Sequence, residues 1–124
     1  MVAKKPEIVL LTLGAREKFI EKICAGIEEE GLLYRCEEYS SAVQTNISAG
    51  ALAYMAAQES TLGVGIGVCG DKATLTHESL GNEKSLCSAV ADEAISVQDT
   101  LAVVSPKGLG QNAARFVKKQ PFLS

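Results

Sequence analysis

The chain has 124 residues, enough for one domain with a buried core, and a formal net charge of −3. That balance excludes a nucleic-acid binder, whose phosphate contacts need a basic face. Hydrophobic residues make up 47% and aromatics 5%, with no Trp, so the predicted core is aliphatic and alanine-rich.

The amino-terminal stretch MVAKKPEIVLLTLG has only about six apolar residues in a row, short of a secretory signal. No run approaches the roughly 18 apolar residues of a membrane span. The expected compartment is the cytosol.

In chain order, EIVLLT (residues 7–12) is aliphatic and β-branched between Pro6 and Gly14, which predicts a buried parallel strand. Residues 15–30 predict a helix. Phe19, Ile20, Ile23, Cys24 and Ile27 share its apolar face, Lys18, Glu21, Lys22 and Glu28 its polar one, and Gly31 stands as the C′ residue. LLYRCEEY (32–39) predicts a second strand. Asn46 is the predicted N-cap of a second helix over 47–60, and LGVGIGV (62–68) a third strand. KATLTHE (72–78) predicts a fourth strand, paired to the third through a turn at Gly70-Asp71. The mixed periodicity of 83–99 predicts a helix, and TLAVVS (100–105) a strand. Pro106 to Gly110 predicts a loop, followed by a final helix over QNAARFVKK that Pro121 ends. The alternation of strands and helices predicts a single α/β domain over 1–124, with a mainly parallel central sheet and helices packed on it.

The cysteines, Cys24, Cys36, Cys69 and Cys87, form no CxxC pair, and His77 is the sole histidine, which does not fit a zinc site. Their apolar contexts predict reduced, buried thiols acting as small hydrophobes. GIGVCG matches GxGxxG at Gly65, Gly67 and Gly70. Those glycines lie inside and at the end of a strand, so the expected role is close helix packing, with Gly70 in a turn. GLGQNA (108–113), beside Lys107, opens a helix and is read as loop-to-helix capping, with a phosphate cradle as the alternative. The sequence contains no GxxxxGK[ST] and no GxSxG, so neither an ATP-binding P-loop nor a nucleophile elbow for His77 is present. Glu37/Glu38 and Asp92/Glu93 are read as solvated faces.

GIEEEG (26–31) is the unusual stretch. Glu28, Glu29 and Glu30 sit in the last turn of a helix, where the dipole disfavours each acid by about 0.3–1 kcal/mol. Either water screens them, or they face something cationic: a divalent metal, or Lys and Arg on a partner. A hard cation such as Mg²⁺ takes one or two protein carboxylates with water or phosphate oxygens, so one Glu can complete a site held mostly elsewhere.

Three blocks, AGIEEEGLLYR (25–35), LGVGIGVCGDKATLTHESLGNEKSL (62–86) and GQNAARFVKKQPF (110–122), together resemble the small subunit of the reactivating factor for adenosylcobalamin-dependent diol and glycerol dehydratases. That family resembles the dehydratase medium subunit. The resemblance implies an α/β fold and no catalysis or cofactor of the chain's own. It implies a large ATPase subunit as partner, and exchange onto the dehydratase large subunit to release damaged cobalamin. It implies that Glu29 reaches a Mg²⁺ held mainly by the large subunit near its nucleotide, with Glu28 and Glu30 beside it at the interface. Neither a nucleic acid nor a membrane is an expected partner. Two alternatives remain: a medium-subunit-like component of a dehydratase, and a stand-alone α/β module binding a small molecule at GLGQNA.

Overall fold

The computed structural model describes residues 6–39, 47–80, 85–90 and 104–119. The elements are β1 (Ile8–Leu13), α1 (Glu17–Glu29), β2 (Tyr34–Glu38), α2 (Ala49–Glu59), β3 (Val64–Cys69), β4 (Lys72–His77), a 3₁₀ turn (Glu78–Leu80), β5 (Cys87–Val90) and α3 (Pro106–Val117). They build a five-stranded sheet in the order β2-β1-β3-β4-β5. β2, β1 and β3 are parallel, as predicted, and β4 and β5 add antiparallel. The β3–β4 hairpin closes at Cys69 and Lys72 through Gly70-Asp71, with Gly70 at φ 59°, so the predicted turn stands.

Strand alternation decides which helix covers which face. Ile8 and Leu10 of β1, with Val64, Ile66 and Val68 of β3, pack against Phe19, Ile23 and Ile27 of α1 and Leu109 and Ala113 of α3. Val9 and Leu11 face the other way, onto Ile47, Leu52 and Ala56 around α2. On that face β3 presents Gly65 and Gly67. A Cβ on Gly65 would collide with the backbone at Ala53 and Ala57, and one on Gly67 with that at Ala49 and Ala53. The glycines of GIGVCG therefore let an alanine-rich helix lie directly on the sheet, as expected.

Four expectations are corrected. Ser48, whose Oγ accepts from the Ala51 N–H at 3.1 Å, caps α2, in place of Asn46, which lies outside the described residues. Within 83–99, residues 87–90 form a strand, because pairing with β4 outweighs their weak local preference. Residues 91–99 lie outside the described residues, as do 100–103 of the expected strand. Val104 and Ser105 are not in a strand, although the Val104 N–H donates to Ser88 O at 2.9 Å. Residues 106–110 are helix, not loop. Ser105 accepts from the Gly108 N–H at 3.0 Å as N-cap, and Pro106 occupies the first helical position, where its missing N–H costs nothing.

Candidate functional site

α1 ends as its sequence requires. Glu30 is the C-cap and Gly31, at φ 79°, is C′. The Gly31 N–H donates to Glu28 O at 3.0 Å and the Leu32 N–H to Ile27 O at 3.4 Å, the two bonds of a Schellman ending.

α3 meets this end because two glycines let the backbones touch. A Cβ on Gly26 of α1 would fall on Lys107 O, and one on Gly110 of α3 would fall on Ile23 O. That approach lays the polar stripe of α3, spaced at helical intervals, beside the acids. Lys107 Nζ lies 2.6 Å from Glu29 Oε1, and Gln111 Nε2 donates to Glu29 Oε2 at 2.9 Å. Lys118 Nζ donates to Glu30 Oε1 at 3.0 Å and to Glu30 O at 2.9 Å, while Arg115 stands 3.4 Å from Glu30 Oε2. Glu28 turns the other way and accepts from the Tyr34 hydroxyl at 2.7 Å.

The acids are thus not equivalent. The Glu30 side chain is 13% exposed, and its hydrogen bond from Lys118, aided by Arg115, holds its carboxyl below the usual carboxylate range. Glu28 pushes the Tyr34 hydroxyl up, because the phenol donates to a carboxylate. Glu29 is 47% exposed, with one oxygen held by a half-exposed Lys and the other by a neutral amide, whereas Glu28, also exposed, engages one oxygen with Tyr34. Among the described residues no cluster of three or more His, Cys, Asp or Glu side chains could hold a metal ion. To serve a hard cation as one ligand, Glu29 would have to release the oxygen that Lys107 holds.

The α3 partners of the acids were missed from sequence. Lys107, Gln111 and Arg115 follow at four-residue steps, a signal that appears only once the helix is started at Pro106.

The other sequence candidates have local roles. GLGQNA lies within α3, where Gly110 makes room for α1, so it is not a phosphate-binding loop. His77 Nδ1 accepts from the Ser79 N–H at 3.1 Å and its ring lies 5.1 Å from that of Phe116, which makes it a turn-forming residue. Glu37 pairs with Arg35 at 2.7 Å; Glu38 is exposed, and Asp92 and Glu93 lie outside the described residues. The four cysteines are free. Cys24 and Cys87 are buried and Cys69 half-buried, but Cys36 is exposed, contrary to expectation, because β2 ends the sheet.

Among the described residues no helix is long and apolar enough to cross a membrane. No curated protein sequence is a significant match. Two solved structures are similar over nearly the whole chain. One is a diol dehydratase-reactivating factor complexed with ADP and Mg²⁺, at 24% identity and a TM-score of 0.78, covering 98% of this chain and 100% of that one. The other is a glycerol dehydratase reactivase, at 25% identity and a TM-score of 0.74, covering 98% of each chain. The dehydratase medium subunit family model matches residues 5–123, and the chain belongs to that family.

Proposed function

We propose that this chain is the single-domain, non-catalytic small subunit of a chaperone-like, ATP-dependent reactivating factor. It works with a large ATPase subunit, and frees inactivated diol or glycerol dehydratase of damaged cobalamin by exchanging with the dehydratase's similar subunit. The observation that carries this reading is the correspondence with the glycerol dehydratase reactivase over 98% of both chains.

Glu29 supplies one carboxylate oxygen to a Mg²⁺ whose other ligands come from the large subunit and its nucleotide. Its exposure at the end of α1 supports this role, with Gln111 holding the second oxygen in place. Glu28 and Glu30 flank it at the interface, each tied back to its own chain by Tyr34 or by Lys118 and Arg115. A Mg²⁺ held there would neutralise charge between the subunits; the chain's own residues position the carboxylate.

The second reading, a medium-subunit component of the dehydratase itself, is favoured by the family description. Co-expression with each candidate partner separates the two. A stable complex with the reactivase ATPase subunit, restoring diol turnover to inactivated dehydratase in ATP and Mg²⁺, supports the first. A complex with the dehydratase large subunit that itself turns over diol, without the ATPase, overturns it.

A further inference from the structure

A cavity of about 200 Å³ opens where α1 and α3 begin, lined by Arg16, Lys18, Phe19, Lys22 and Pro106. It lies beyond the carboxyl end of β1, the side of a parallel sheet where open α/β folds take their ligands. Lys18 and Lys22 stand one helical turn apart on α1. Phe19 and Pro106, both buried, supply its apolar wall.

Three cations line this cavity and no acid does. Glu17 and Glu21 are the lysines' neighbours in sequence, yet among the described residues neither Lys18 nor Lys22 comes within ion-pair distance of a carboxylate. Asp71 reaches only Arg16, at 3.6 Å, and both side chains are well exposed. Arg16 also holds the N-cap position of α1 without capping it. The Phe19 and Ile20 N–H groups donate to Arg16 O, so those of Glu17 and Lys18 are left for an outside acceptor. Like charges one turn apart repel, and cations beside a helix N-terminus are disfavoured, so both costs ease when an anion arrives. The patch also opposes the sign of the whole chain, whose net charge is −3.

We propose that this cavity binds a small inorganic polyanion of the diphosphate class. Its volume of about 200 Å³ is below the roughly 300–1,000 Å³ of pockets that enclose organic ligands, so the charged group itself is what fits. Two phosphoryl groups joined through one oxygen give each lysine its own partner, and Arg16 offers a planar fork to a pair of phosphate oxygens. A single carboxylate leaves the other cations unmatched. Phe19 and Pro106 keep water from one side, which strengthens each attraction. The site is independent of Glu29, which lies at the other end of α1.

The test is a titration of the full chain with inorganic diphosphate at low salt, followed by backbone amide NMR shifts. Saturable binding of a single diphosphate at about millimolar concentration or below, with the largest shifts at Glu17, Lys18 and Phe19, is the expected result. Lys18→Gln and Lys22→Gln should each weaken it about two- to fivefold, and added salt should weaken it further. Lys119→Gln, just past the far end of α3, should bind as wild type does. No saturation, shifts centred away from the start of α1, equal affinity for citrate, or unchanged affinity in both lysine variants overturns the proposal. The shift map of the wild-type chain decides the site even where a variant fails to fold.

Discussion

Glu29, in the last turn of α1, and Lys107, in the first turn of α3, pair at 2.6 Å although each stands at the helix end that disfavours its charge. Each side chain relieves the other. The acid faces a cation where its own helix offers only carbonyls, and the lysine faces an anion where its own helix offers only N–H groups.

Replacing Glu29 should therefore be nearly silent in the free chain. Glu29→Gln removes a half-exposed ion pair worth about 0–1 kcal/mol and relieves a dipole penalty of similar size. Its amide oxygen can still accept from Gln111. Denaturant midpoints of the free variant should stay within about 0.5 kcal/mol of wild type. Affinity for the ATPase subunit should fall at least tenfold in Mg²⁺ and change little in chelator, as titration calorimetry would read. Equal affinity in Mg²⁺ would remove Glu29 from the metal site.

The glycines between helices should resist substitution. Gly26→Ala or Gly110→Ala gains up to about 1 kcal/mol of helix propensity, but drives a methyl into a backbone carbonyl that cannot rotate away. Overpacking of this kind costs about 1–3 kcal/mol, so both variants should lose stability in urea melts. Gly50→Ala is the contrasting case. Only Ser48 Oγ, at 3.9 Å, lies near its added Cβ, and the variant should gain a few tenths of a kcal/mol.

Glu30 should give the fold an acid-sensitive component. Its folded carboxyl is held below its unfolded value, chiefly by Lys118. The stability it contributes is therefore complete above the unfolded pKa of about 4.3 and is lost as pH falls through the lower folded value. Urea midpoints taken from neutral pH down to about 3 should fall less steeply for Glu30→Gln than for wild type in that acid range. Parallel curves would show that Lys118 and Arg115 do not stabilise the ionised form.

The purified chain should not hydrolyse ATP, since its sequence contains no P-loop and its GLGQNA segment is helical. Phosphate release should stay at buffer level alone and appear on adding the ATPase subunit. Turnover by the pure chain, unchanged in Glu29→Gln, would contradict the proposed role.

The first half of the fold was legible because its signals are local. Aliphatic runs over Ile8–Leu13 and Val64–Cys69, the apolar stripe from Phe19 to Ile27, and Gly31 and Gly70 at their turns each specify an element without outside help. The acids of GIEEEG were legible as an anomaly, but their partners were not. Glycines at 108 and 110 weaken the local helix preference, which hides the start signal in Ser105-Pro106 and with it the stripe of Lys107, Gln111 and Arg115. Gly110 is there for contact with Ile23 across the helix interface, a requirement that only tertiary structure reveals. β5 failed for a related reason: Cys87–Val90 is too short, and too rich in Ser and Ala, to declare itself before β4 is beside it.

The outer strand also bears on how the free chain behaves in company. Among the described residues β2 is paired on one side only, leaving a row of backbone donors and acceptors open to any passing strand. It is five residues long and reads YRCEE. Arg35 is held in a fork by Glu7 at 3.1 Å and Glu37 at 2.7 Å, and Glu38 stands free in solvent. A second copy adding in parallel register would set Arg35 against Arg35 and Glu37 against Glu37, and the short, charged strand leaves little apolar edge for fibre growth. A chain with such an edge can persist alone without polymerising.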